Sequence, residues 1–101
     1  MNVYIEAPPK QIAAEKEYLR SAIFKLIPYK ECNYEYIDKY FESVLQQLTG
    51  FNRISGHQPV MITIISLVEY ARQEDNFTSY RKAILDACGM IKLIKESDLN
   101  A

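Results

Sequence analysis

The sequence predicts an all-α protein, a single-domain bundle of about four helices. Three observations lead to this prediction. Apolar residues recur at helical spacing through most of the chain, prolines and capping residues divide that pattern into four segments, and the connections between them are short. The chain has 101 residues, 49% of them apolar and 25% charged, which is typical of one small folded domain spanning residues 1–101.

The first predicted helix covers residues 10–27. Residues 1–9 end in Pro8 and Pro9 and are predicted to be an extended lead-in, because each proline disfavours helix in the residue before it. Apolar side chains then recur at helical spacing, and Pro28 is the predicted stop.

The second predicted helix covers residues 34–49. Asn33 is its predicted N-terminal cap, and an apolar stripe from Ile37 to Leu48 defines its buried face. Gly50 is predicted to take the left-handed conformation just beyond its end.

The third predicted helix covers residues 59–73. The run from Val60 to Val68 is rich in β-branched residues, which by propensity alone also suits a buried strand. Pro59 suits a first helical position, and the run continues without a turn signal to Gln73, which favours a helix. Apolar residues cover most of its circumference. We therefore expect a central position and, because three neighbours leave some of this surface uncovered, self-association into a homo-oligomer.

The fourth predicted helix covers residues 78–96, with Asn76 or Thr78 as its cap and 97–101 as a tail. Gly89 lies inside this helix, at a cost of about 1 kcal/mol relative to alanine. The preferred explanation is a close helix crossing at that position.

Charge and cysteine content exclude several classes of function. Twelve basic and thirteen acidic residues give a net charge of −1, which offers no net field to a polyanion. The first and fourth predicted helices are basic and the second is acidic. Either these opposite charges determine which helices pack side by side, or the two basic helices form a weakly basic surface that binds an acidic partner. Cys32 and Cys88 have neither zinc-ligand spacing nor the density of a secreted disulfide scaffold.

We expect a cytoplasmic protein without a cofactor or a metal. No basic stretch leads into a cleavable apolar segment, and the longest apolar run is too short to cross a membrane. No glycine-rich phosphate loop occurs, and no carboxylate pair stands at metal-binding spacing from a histidine.

His57 is the one histidine, and it follows Arg53 closely. Two interpretations apply: His57 or Gln58 caps the next helix while Ser55 and Gly56 form the turn, or Arg53 and His57 form the centre of a small nuclease. The sequence offers no nucleophile with an orienting carboxylate beside His57. Capping is therefore favoured, and no enzymatic activity is expected.

Tyrosines cluster around the junction of the first two predicted helices, at positions 29, 34, 36 and 40. Tyrosine buries a large area and keeps a polar group, which makes it a frequent anchor at protein interfaces, although the same rings also suit packing over the edge of the core. The aromatic cluster coincides with the acidic helix, so nucleic acid is not expected as the partner. The predicted partner-binding residues are Tyr29, Tyr36, Tyr40, Phe51, Arg53 and His57.

Three segments resemble a known family. They begin with Pro8-Pro9 and run on through Ala14-Glu15 to Phe24, include Tyr40-Phe41 through Leu45, and run from Pro59 to Arg72. Together they resemble the N-terminal helical domain of DnaB-type replicative helicases, a fold shared by the helicase-binding part of bacterial primase. The resemblance implies a free-standing module, typical of phages and mobile elements, that binds, imitates or blocks a helicase, loader or primase. The alternative is a cytosolic immunity or antitoxin-like protein that neutralises one toxin.

Overall fold

Five α-helices and no strand occur in the part of the chain that the computed structural model describes, residues 8–96. The helices are α1 (Pro9–Phe24), α2 (Leu26–Glu31), α3 (Ile37–Ile54), α4 (Pro59–Gln73) and α5 (Phe77–Ile91). They share one apolar core, so the all-α bundle predicted from the sequence is confirmed. The predicted tail and the first seven residues of the predicted lead-in lie outside the described residues.

The first predicted helix is two helices, α1 and α2, separated only by Lys25. Pro8 is extended, but Pro9 is already helical, one residue earlier than predicted. Pro28 does not stop the helix and instead lies in the first turn of α2. Proline has no N–H to donate to the carbonyl of Phe24, four residues earlier, so the α1 hydrogen-bond ladder breaks and a new helix starts.

The turn between α2 and α3 shows why Asn33 is not the N-terminal cap of α3. Asn33 has a φ of 53° and takes the left-handed position that ends α2. Its N–H donates to the carbonyl of Lys30 (3.2 Å), and the N–H of Tyr34 donates to the carbonyl of Tyr29 (2.9 Å). This pair of bonds is the Schellman pattern of a helix C-terminus. Asn33 therefore ends one helix, and α3 begins later than predicted, at Ile37.

Helix α3 continues past Gly50 and ends at Ile54, so the predicted end at Gly50 is wrong. Gly56, with a φ of 92°, takes the left-handed role instead. The next residue, His57, also has a positive φ (54°), and its N–H donates to the carbonyl of Asn52 (2.8 Å). The apolar stripe extends beyond Gly50, and its burial outweighs the weak helix propensity of one glycine.

Helix α4 has the predicted bounds but not the predicted position. It packs mainly against α3 and α5, whereas α5 contacts α1, α2 and α4. One face of α4 is buried, through Met61, Ile64, Val68 and Ala71. The opposite face is exposed. Helix α5 has six buried residues, more than any other helix, and takes the central place that hydrophobicity predicted for α4.

Helix α5 begins at Phe77 and ends at Ile91, five residues before the predicted end at Glu96. Of the two predicted caps, Asn76 is the one used: its side-chain oxygen accepts a hydrogen bond from the N–H of Ser79 (2.9 Å). The chain after Ile91 leaves the helix but still adds to the core, because Ile94 is buried.

Replacing Gly89 by alanine is expected to stabilise the protein. A Cβ atom at Gly89 or at Gly50 would meet no atom of another helix and no neighbouring side chain within 4 Å, so the predicted close helix crossing at Gly89 is wrong. Each change to alanine should raise the free energy of unfolding by about 0.5–1 kcal/mol, because alanine loses less backbone entropy in a helix. Urea unfolding measures this. Gly56→Ala is the control and should destabilise, since its φ is 92°.

Candidate protein-interaction surface

Four tyrosines form a chain of ring contacts around the turn between α2 and α3. Tyr29 of α2 stacks on Tyr34 with ring centroids 4.5 Å apart, and Tyr40 of α3 meets Tyr29 edge to face at 5.0 Å. Tyr36 meets Tyr34 edge to face at 5.9 Å. Tyr29 and Tyr34 are also the two residues linked by the longer-range backbone hydrogen bond of the Schellman turn, so the turn itself brings their rings together. We call these four residues the tyrosine edge.

The tyrosine edge has a fixed inner layer and an exposed outer layer. Tyr40 is partly buried, and its hydroxyl donates a hydrogen bond to the carbonyl of Ala22 in α1 (2.7 Å). Tyr36 and Tyr34 face solvent, with 53% and 37% of their surface exposed. The predicted contact residues Tyr29, Tyr36 and Tyr40 are thus brought together, and Tyr34, which was not among the predicted contacts, joins them.

Tyr18 is a further aromatic residue that sequence reasoning missed. It lies on α1, is exposed, and is close enough to Tyr40 to raise the pKa of the Tyr40 hydroxyl. Tyr18 precedes Ala22 by one helical turn, and Ala22 is the residue to which Tyr40 donates. Only the packing of α1 against α3 reveals this proximity, because the two residues are far apart in sequence.

Alkaline pH is expected to destabilise the fold. Burial raises the pKa of Tyr40 from 10.0 to about 12 and that of the Cys88 thiol from 9.0 to about 11. Both groups are neutral in the folded protein and ionise more readily when unfolded. The contribution of these two groups to stability should therefore be constant below about pH 9 and fall as pH rises toward the folded values. Urea unfolding at a series of pH values tests this, and Tyr40→Phe should make the decline shallower.

Two carboxylates lie beside the tyrosine edge without an ion pair among residues 8–96. They belong to Glu31 and Glu35, and both residues are exposed. Asp38 is different: Arg72 donates to it across the α3–α4 seam (2.8 Å), and this hydrogen bond lowers the pKa of Asp38. The tyrosine edge is therefore an aromatic surface with two exposed carboxylates beside it, and one exposed lysine, Lys39, lies three residues from Tyr36.

The other predicted contact residues do not belong to this surface. Phe51 is 2% exposed and lies in the core, so its assignment as a contact residue is wrong. Arg53 and His57 are exposed, but Arg53 lies in the last turn of α3, about 25 Å from Tyr36 at the helical rise per residue, and His57 lies in the turn that follows. The six predicted residues thus divide between the tyrosine edge, the region at the C-terminal end of α3 and the core.

Gln58 does not cap α4 in the predicted way. Gln58 occupies the N-cap position without a side-chain capping bond. Its amide instead donates to the carbonyls of Ser55 and Lys95 (2.8 Å each) and accepts from the N–H of Lys95 (2.7 Å). Gln58 thereby ties the chain after α5 to the α3–α4 turn.

A groove of about 500 Å³ lies between α1 and α5, beside Lys16, Arg20 and Cys88. Lys16 donates to the carbonyl of Ile94 (2.7 Å) and pairs with Glu96, while Arg20 pairs with a glutamate on its own helix. The raised pKa keeps Cys88 as a thiol at neutral pH, and its Sγ donates to the carbonyl of Arg20 (3.5 Å). The thiol is therefore unsuited to act as a nucleophile.

Within residues 8–96 no group of three or more histidine, cysteine, aspartate or glutamate side chains is placed to hold a metal ion. In the same range, no helix combines the length and apolar character needed to cross a membrane. No protein-family model, no curated protein and no solved structure matches the chain.

Proposed function

We propose that this chain is a protein-interaction module without catalytic activity, and that it binds its partner through the tyrosine edge. The observation that carries the proposal is the exposure of Tyr34 and Tyr36 over an inner layer fixed by Tyr29 and Tyr40. Rings held in place before binding lose little conformational freedom on association, and they bury a large area. Tyrosine is accordingly enriched among residues that dominate binding energy.

The proposed partner surface is apolar and carries arginine or lysine opposite Glu31 and Glu35. Glu31 and Glu35 lack an ion pair among the described residues and flank the aromatic rings, so basic side chains complement them. Arginine fits this surface best, because its guanidinium group pairs with a carboxylate and also stacks on a tyrosine ring.

The specific form of the proposal is that the partner belongs to the replication machinery, as a helicase, a loader or a primase. The resemblance of three segments to the DnaB-type N-terminal domain supports this choice and favours a phage or mobile-element origin. The proposed compartment is the cytoplasm. Free thiols at both Cys32 and Cys88 support it, because disulfides are rare there.

A binding measurement with matched variants tests the surface. Purified helicase, loader and primase are titrated with the wild-type chain and with a Tyr34→Ser, Tyr36→Ser double variant. Loss of two central anchors should weaken binding by at least about 2 kcal/mol, or roughly thirtyfold. Leu93→Ser is the control, because Leu93 is 64% exposed and lies beside His57, away from the tyrosine edge.

Three results would count against the proposal. If an Arg53→Ala, His57→Ala variant loses binding while the double tyrosine variant keeps it, the contact surface is the other end of α3. If the chain binds a toxin and none of the replication proteins, the immunity alternative replaces the specific form. If the purified chain hydrolyses nucleic acid and His57→Ala abolishes that activity, the chain is an enzyme.

A further inference from the structure

The outward face of α4 is poor in charge and rich in exposed apolar surface. Its exposed residues are Pro59, Ile62, Thr63, Ser66, Glu69, Tyr70 and Gln73. Ile62 is 67% exposed and Tyr70 is 50% exposed. Charged residues make up 25% of the chain, yet none occurs in the fifteen residues from Ile54 to Val68. Depletion of charge around large exposed apolar side chains is typical of the central part of a protein interface.

This face is also complementary to itself. Ile62, Ser66 and Tyr70 follow one another at four-residue spacing and form one row along the helix. The row is symmetric about Ser66. If a second copy of α4 crosses antiparallel at Ser66, Ile62 of each copy lies beside Tyr70 of the other, as a two-fold axis requires. Serine is small enough to let the two helices approach closely at the crossing point.

The one charged residue of this face does not oppose such pairing. Glu69 lies three residues from Ser66, so the Glu69 side chains of two antiparallel copies are offset by six residues, about 9 Å along the helix. They therefore do not meet directly.

We propose that the outward face of α4 is a homodimer interface, with the two-fold axis at Ser66. One helix from each copy gives a contact smaller than the standard interface of about 1,600 Å². The dimer therefore dissociates in the micromolar range. This inference uses residues outside the tyrosine edge, so its failure leaves the proposed function untouched.

Sedimentation of the full chain from low micromolar to near-millimolar concentration tests the interface. The wild type should rise from the protomer mass to twice that mass. Ile62→Lys should need at least about tenfold higher concentration to reach the dimer mass, because a buried charge at the contact raises the dissociation constant by about that factor. Leu93→Lys is the matched control, with 64% exposure at the native residue against 67% for Ile62, and should dimerise like the wild type. Circular dichroism checks that both variants are folded.

A cysteine placed on the proposed axis tests the geometry. In a Cys32→Ser background, Ser66→Cys should form a disulfide-linked dimer on mild oxidation. Gln73→Cys lies on the same face, but two copies of residue 73 are fourteen residues apart along the helix, about 21 Å, and should not link. A wild type that remains monomeric, an Ile62→Lys variant that dimerises normally, or equal linking at the two cysteines would each overturn the proposal.

Discussion

Replacement of Tyr80 by alanine is expected to lower the free energy of unfolding by about 3–5 kcal/mol. Tyr80 is 1% exposed, and its ring meets Phe41 edge to face and stacks on Phe77, with centroids 6.2 and 6.0 Å away. Its hydroxyl donates to the carbonyl of Leu26 (2.6 Å), which fixes α2 against α5. Small domains have only about 5–15 kcal/mol of stability, so this variant should be close to unfolding at room temperature.

Tyr80→Phe separates the hydroxyl from the ring. It keeps the packing and removes one buried hydrogen bond, so it should cost about 1–2 kcal/mol in urea unfolding followed by circular dichroism. Tyr70→Phe is the control and should change little, because half of Tyr70 is exposed. A Tyr80→Phe variant as stable as the wild type would mean that the bond to Leu26 contributes nothing to stability.

The helix ends show where prediction from the sequence succeeds and where it fails. Pro59 starts α4 as predicted, because proline at a first helical position requires no tertiary contact. Asn33 was misassigned because asparagine favours both an N-cap and the left-handed position after a helix. The hydrogen bonds of Asn33 and Tyr34 back to α2 decide between the two roles. Those bonds depend on where α2 ends. In the sequence, Pro28 indicated a helix end, so α2 and its C-terminus were not predicted.

The position of α4 could not be predicted from its composition. A strongly apolar helix is central when others surround it, but the same pattern fits a peripheral helix with an exposed apolar face. The exposure of Ile62 distinguishes these cases. Of the two predictions made for this segment, a central position is wrong, and the surplus of apolar surface is the observation on which the proposed dimer is based.

The candidate site was predicted in part. Tyr29, Tyr36 and Tyr40 are close in sequence, so the turn between two helices was enough to predict their clustering. Tyr18 required the packing of α1 on α3. Phe51 was assigned to a loop because α3 was predicted to end at Gly50, and the longer helix turns that side chain into the core. The error in the predicted end of α3 is therefore the reason that a buried residue was predicted to be a contact residue.

Replacement of Gln58 by alanine is expected to release the chain that follows α5. The change removes two hydrogen bonds to the backbone of Lys95 and one to the carbonyl of Ser55. A cost of about 2–3 kcal/mol follows, because the net value of each bond is near 1 kcal/mol. The amide of Lys95 should exchange with solvent much faster, and Ile94, now 2% exposed, should lose part of its burial. Hydrogen exchange and urea unfolding measure both effects.

Gln58→Glu distinguishes hydrogen bonding from simple filling of space. Glutamate keeps an acceptor for the N–H of Lys95 but cannot donate, and its carboxylate then faces the carbonyls of Ser55 and Lys95. This variant should be at least as destabilised as Gln58→Ala, since an acceptor set against two acceptors is unfavourable. If both variants leave exchange at Lys95 unchanged, the anchor of this segment is Lys16, whose ammonium donates to the carbonyl of Ile94 (2.7 Å).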